Sequence, residues 1–192
     1  RILLLFLIFF ALNVFAQKEA NIWYFGRNAG IDFSTSPPTA ITNGQLNTLE
    51  GCSSFSDSTG KLLFYVGAPN SSDNRLTVWD EDHNIMNYTN GNVGNNLLGH
   101  TSSTQSAMII PKPESTTIFY LFTVDNGTHG INLYTIDMSL NSGKGQLIDE
   151  DNDGVFFKDL SNGLETSWTE KVAAVKGKEC NEFWVVSAVG SE

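Results

Sequence analysis

The chain has 192 residues with 11 Lys and Arg against 21 Asp and Glu, a formal net charge of −10. That balance argues against nucleic acid and anionic membrane surfaces as partners, because both are held by Lys/Arg patches. Seventeen Gly and 13 Phe, with abundant Asn, Ser and Thr, suit many short strands joined by turns. Outside the first residues no stretch keeps a 3.6-residue apolar period for three turns, which excludes long amphipathic helices.

The chain opens with "RILLLFLIFFALNVFA": one positive charge, an apolar run from Ile2 to Leu12 too short for a membrane span, and small residues at Val14 and Ala16. That is the layout of a secretory signal peptide over residues 1–16, with cleavage predicted after Ala16. Losing Arg1 with the leader leaves 10 basic residues against 21 acidic ones. The first residue is not Met, so the sequence reads as a fragment of a longer protein.

Residues 17–50 read as an N-terminal hairpin and linker, with the hairpin in "NIWYFGRNAGIDF" (21–33) ended by Pro37 and Pro38. From residue 51 a unit begins to recur. "GCSSFSDSTGKLLFYVG" (51–67) is a strand, a turn of small polar residues and a second strand. "QSAMIIPKPESTTIFYLFTVD" (105–125) and "EKVAAVKGKECNEFWVVSAVG" (170–190) repeat the layout, with Phe64, Tyr120 and Trp184 at the centres. After the first two units comes another strand with a polar turn, in 75–88 and 131–148. Strands are predicted at Leu62–Val66, Ala107–Ile110, Phe119–Thr123, Leu133–Asp137, Val172–Val175 and Phe183–Ser187.

About four antiparallel strands per repeat, in meander order, point to an all-β fold and an incomplete β-propeller. Its blades span residues 51–100 and 101–163, with a partial blade over 164–192. A β-sandwich is the alternative, because regular strand spacing serves it equally well. One blade cannot bury both faces alone, so Phe64, Trp79, Phe122, Tyr134 and Trp184 are predicted to fill the contacts between blades. On this count the chain stops inside its third blade, truncated at that end too, and such a fragment is predicted to be poorly stable or to associate.

The search for chemistry returns weak signals. Neither GxSxG nor HExxH occurs, and His83, His100 and His129 stand in separate turns without metal-ligand spacing. Asp80, Asp82 and His83 in "DEDHN" read as a charged hairpin turn. "SFSDSTGKLLF" is similar to a sialidase Asp-box, but Asp57 and Gly60 are separated by two residues and no Trp follows. Only Arg27 and Arg75 remain after the leader, where a sialidase needs three arginines. Acidic residues are plentiful, yet none stand out as a hydrolytic pair.

Two binding signals remain. Trp79, Tyr88 and Trp168 sit among Asn, Asp and Ser, a mix that suits stacking on sugar rings, although aromatic residues also fill blade contacts. In "DEDNDG", Asp149, Asp151 and Asp153 occupy positions 1, 3 and 5 of a calcium loop, with Gly154 at position 6 and the Val155 carbonyl at 7. Leu160 stands where an EF-hand has its bidentate Glu, with Asp159 one place early, so a solvated acidic turn is the other reading. The stretch 97–106, "LLGHTSSTQS", is a binding loop or a tight turn held by side-chain-to-backbone bonds. Two cysteines, Cys52 and Cys180, do not by themselves imply a disulfide; they read as a buried small residue and a half-exposed thiol.

"WYFGRNAGIDF", "NTLEGCSSFSD", "GKLLFY", "TVWD", "LLGHTSSTQSAMIIPKP", "IFYLFTVD" and "TEKVAAV" together resemble the N-terminal propeller-like region of large exported surface proteins of gliding bacteria. Those proteins often carry later immunoglobulin-like repeats and a C-terminal sorting domain. The resemblance implies type IX export and a cell-surface or released location, and no catalytic residue set comes with it. "GKGQLIDEDNDGVFFKDLSNGLE" is longer and more acidic than the pattern leads one to expect. The reading is a non-enzymatic surface module for binding or adhesion, its partner a surface glycan or protein. The alternative is part of a secreted glycan-acting hydrolase whose catalytic residues lie elsewhere.

Overall fold

The computed structural model describes residues 18–190 apart from Asp73 and Cys180. The predicted leader and Cys180 therefore lie outside the described residues. Among the described residues fourteen strands form four sheets, and every strand pairing within a sheet is antiparallel. The first sheet holds β1 (Ile22–Phe25), β2 (Ala29–Asp32) and β3 (Thr39–Ile41). The second holds β4 (Ser53–Ser56), β5 (Leu62–Gly67), β6 (Arg75–Asp80) and β7 (Leu97–Leu98), in that order across the sheet. β8 (Ala107–Pro111), β9 (Ile118–Val124), β10 (Ile131–Asp137) and β11 (Gln146–Ile148) follow in the third, with β12 (Lys158–Asp159) also on β10. The last is a hairpin of β13 (Trp168–Lys176) and β14 (Phe183–Val189). All six predicted strand spans are strands. Among the described residues the only helices are single 3₁₀ turns, and none is long and apolar enough to cross a membrane.

The turns form where a short polar side chain can stand in for a backbone acceptor. Asp57 accepts from the Thr59 and Lys61 amides at 2.8 and 3.1 Å and so closes the β4–β5 turn. Asp80 does the same for Asp82 and Asn84, both at 2.9 Å, and Asp137 for Ser139 at 2.8 Å. Pro37 and Pro38 do not end the leading hairpin. They turn the chain back so that β3 pairs with β2, because Pro suits a turn and the residues after it are free to donate.

Alternation along each strand gives the two middle sheets apolar groups on both faces. Phe64, Val66, Leu76 and Val78 of the second sheet meet Ile109, Phe119, Leu121, Tyr134 and Ile136 of the third in the main core. On the far side of the second sheet, Tyr65 and Trp79 pack with Tyr24 and Leu46. Across the far face of the third, Ile110, Phe122, Val124 and Ile131 pack on Val172. One bulge breaks the alternation: Ser56 pairs with Leu62 and Phe55 with Phe64, so Leu63 and Phe64 both reach the main core.

Phe64, Trp79, Phe122 and Tyr134 fill sheet-to-sheet contacts, as the alternation predicts. Trp184 does not. It lies on the face of β14 that no described residue covers and is 62% exposed.

Candidate binding site

The second and third sheets end alike. Along β6, Ile85 bridges to Trp79, Met86 and Gly94 both bond to Val78, and β7 pairs with Arg75 and Leu76, so residues 87–93 arch out between Met86 and Gly94. Along β10, β11 takes Thr135–Asp137 and β12 takes Asn132 and Leu133, so residues 149–157 arch out in the same way. The arches are tied at their base. Leu147 donates to the Asn87 carbonyl at 3.0 Å and accepts from Thr89 at 2.9 Å.

Between the arches lies an open cleft of about 450 Å³, lined by Tyr88, Asn90, Asn92 and Asn96 on one side and Val155, Phe156 and Phe157 on the other. Arg75, Leu98 and Tyr134 form its floor. Tyr88 stands edge-on to Phe156 at 4.8 Å, and burial pushes its phenol up to about 12, so it remains a neutral hydroxyl at physiological pH. The Tyr134 hydroxyl accepts from the Leu98 amide at 2.8 Å, and burial raises its pKa as well. Asn90 is used locally, accepting from the Asn92 amide at 2.9 Å. Among the described residues, no hydrogen bond engages the side-chain amides of Asn92 and Asn96, and none of the lining residues is a carboxylate.

A larger space of about 620 Å³ opens at the opposite end of the sheets, where Phe55, Phe119 and Phe183 meet Asp57, Ser115 and Lys176. Asp57 and Ser115 are held in their own turns there, Ser115 accepting from Thr117 and Ile118, and Glu19 and Lys176 make the lining charged. The cleft between the arches differs in setting asparagine amides beside aromatic rings with no carboxylate in its lining, the mix that suits an uncharged sugar.

The three aromatic candidates part company. Tyr88 lines the cleft. Trp79 is only 4% exposed and stacks on Tyr65 at 5.2 Å, so it offers no face to a ligand. Trp168 packs into the contact between the third sheet and the last hairpin, away from the cleft. The signal the sequence carries for this side of the cleft is the density of asparagine in "NYTNGNVGNN" (87–96).

In the acidic arch the carboxylates face different partners. Asp149 accepts from the Asp153 and Gly154 amides at 3.3 and 2.7 Å, Asp153 accepts from Val155 at 2.8 Å, and Asp151 pairs with Lys158 at 2.9 Å. Glu150 pairs with Lys112 and accepts from the Thr135 hydroxyl at 3.0 Å. Among the described residues no three His, Cys, Asp or Glu side chains converge as a metal site requires. The histidines stay apart: His83 bonds to Tyr65 and Asn43, His100 to Ser102, and His129 to Asp125.

Residues 97–106 form a tight inter-sheet turn. The Thr101 carbonyl accepts from the Thr48 hydroxyl and the Glu50 amide, the Thr101 hydroxyl accepts from Leu49, and the Ser106 hydroxyl donates to Gly51. Cys52 is half-buried and donates to the Tyr24 carbonyl at 3.3 Å. Burial raises its thiol to about 11, outweighing the Gly26 backbone contact that lowers it, so it stays a thiol near neutrality. No protein-family model, curated protein or solved structure matches the chain.

Proposed function

We propose that this chain is a binding module of an exported cell-surface protein, its sheets arranged as propeller blades, which holds a surface glycan without transforming it. The observation that carries the binding reading is the cleft between the arches, where free amides flank two aromatic rings. Amides offer a paired donor and acceptor to neighbouring hydroxyls, and aromatic rings bury the apolar face of a sugar. A hydrolase needs two carboxylates across the scissile bond, and the cleft lining supplies none among the described residues. Export is supported by the leader pattern of residues 1–16, and surface location by the resemblance carried in "NTLEGCSSFSD" and "LLGHTSSTQSAMIIPKP".

The propeller reading rests on how the sheets meet. Each of the two middle sheets is covered on both faces, which a two-layer sandwich does not require. The leading strands β4, β8 and β13 lie side by side with their starts tied together. The Gly51 amide donates to the Ser103 carbonyl at 3.1 Å and the Gln105 amide to the Glu170 carbonyl at 3.1 Å. The first sheet departs from the pattern: Cys52 and Ser54 donate to Tyr24 and Ile22, so β1 runs against β4.

A glycan array probed with the chain, followed by calorimetry on retained sugars, tests the function. We expect binding of uncharged glycans that Tyr88→Ala weakens about tenfold or more, about 1.4 kcal/mol. Absence of any retained glycan, or equal affinity in the variant, overturns the assignment. Release of new reducing ends would move the protein to the hydrolase alternative.

A further inference from the structure

The floor of the cleft between the arches has a fixed hydrogen-bonding sense. Tyr134 is 2% exposed, and its hydroxyl accepts from the Leu98 amide at 2.8 Å. Among the described residues nothing accepts the hydrogen of that hydroxyl. Burial keeps the phenol protonated near neutrality, so what it has left to offer is one donor. Arg75 stands beside it in the floor, close enough for its charge to act on the Tyr134 phenol, and a guanidinium has N–H donors and no acceptor. The floor is therefore a donor surface. A buried hydroxyl whose hydrogen finds no acceptor in the chain points to an acceptor that arrives from outside. The surroundings of the floor differ: the side-chain amides of Asn92 and Asn96 each hold a donor and an acceptor, and Leu98 and Val155 add branched apolar side chains.

We propose that the sugar this cleft selects is an N-acetylated hexosamine, its acetamido carbonyl oxygen seated on the Tyr134 hydroxyl and the Arg75 guanidinium; this rests on the glycan reading of the cleft. Three properties of the acetamido group match the site. Its carbonyl oxygen only accepts, as a donor floor requires, whereas a sugar hydroxyl placed there would turn its own hydrogen towards other donors. Its methyl is apolar and has Leu98 and Val155 to pack on. Its N–H is a single donor, for which the amide oxygens of Asn92 and Asn96 are acceptors within the same lining. Tyr134 and Arg75 then set specificity, while Tyr88 and Phe156 hold the ring.

A carboxylate also accepts without donating, but the electrostatics around the cleft oppose it. The arch that carries Val155 and Phe156 also carries Asp149, Glu150, Asp151 and Asp153. Lys112 and Lys158 pair with Glu150 and Asp151, whereas Asp149 and Asp153 accept from backbone amides and keep their charge. The chain as a whole carries −10. An acidic sugar meets like charge at the rim before it reaches Arg75, and a neutral carbonyl does not.

Calorimetric titration of the full chain with matched disaccharides, in the gluco and galacto series, reads the selection. Each series comprises the parent sugar, its N-acetylated 2-amino counterpart and its uronic acid. The N-acetylated member of at least one series should bind about tenfold or more tighter than its parent. Tyr134→Phe keeps the ring and removes the O–H, and should narrow that ratio severalfold. The ratio is the readout because the variant also takes the acceptor from the Leu98 amide, and the ligand series decides the matter even where the variant fails to fold. Equal affinity for parent and acetylated sugars, still weakened by Tyr88→Ala, overturns the acetamido assignment and leaves the glycan reading standing. Tighter binding of the uronic acids overturns it in favour of a carboxylate on Arg75. An acetamido preference untouched in a folded Tyr134→Phe chain overturns the placement on the floor. No binding of any sugar overturns the glycan reading itself, and this inference with it.

Discussion

Single carboxylates decide much of the local structure, and Asp125 shows the energetics. It is 1% exposed and accepts from the Thr128 amide and hydroxyl at 2.9 and 2.8 Å and from His129 at 2.9 Å. Burial alone would raise its pKa, but the His129 and Thr128 hydrogen bonds outweigh it and lower the folded value. On acidification the unfolded chain therefore takes up its proton first. The contribution of Asp125 is complete above the unfolded value of about 3.9 and is lost as pH falls through the lower folded value. Asp125→Asn should cost about 1–3 kcal/mol at neutral pH in urea unfolding. The variant should also lack part of the acid-induced loss that the parent shows below about pH 4. An unchanged acid profile would show that the carboxylate is not ionised in the folded state.

At the scale of elements, the hairpins depend on where a side chain can be absent. Gly130 opens β10 with a φ of +57°, and a Cβ there would meet Trp168 Cδ1 at 2.6 Å and overlap the Ser161 hydroxyl. That hydroxyl accepts from the Ile131 amide at 3.0 Å, so displacing it also breaks the bond between β10 and the segment that follows β12. Gly154, at the tip of the acidic arch, has a φ of +87° and nothing within 4 Å. Gly154→Ala should cost only backbone strain, about 1–2 kcal/mol, whereas Gly130→Ala should cost about 3 kcal/mol or more. Thermal unfolding of the two variants side by side measures the difference; equal losses would mean that the Trp168 contact yields freely.

For the molecule as a whole, stability is distributed along the stack as nearest-neighbour contacts between sheets. β5, β6, β9 and β10 are paired on both edges and lie in sheets covered on both faces. β13 and β14 have one bare face and β3 is a short edge strand. Hydrogen exchange should therefore be slowest in β5, β6, β9 and β10 and fastest in β3 and the outer hairpin. Uniform protection would contradict a neighbour-by-neighbour stack.

The sequence alone determined the strands and their turns. Alternation in "LLFYV" and "IFYLFTV" and the turn formers of "SDSTG" act within a few residues, and side-chain direction along a strand follows from its pleat. The repeat also implied stacking, because a sheet apolar on both faces must be covered on both. Which residues are covered was decided only by the tertiary structure. Trp79 and Trp184 occupy comparable aromatic positions in the sequence, yet Trp79 is 4% and Trp184 is 62% exposed. The difference lies in which sheet face has a neighbour. The acidic spacing of Asp149, Asp151 and Asp153 likewise suggested convergence, but the backbone turn and Lys158 draw the carboxylates to separate partners. The cleft itself was invisible from sequence. Tyr88 and Asn92 come from one arch and Phe156 from another more than sixty positions away, and only the pairing of β10 with both β11 and β12 pushes the second arch out to meet the first.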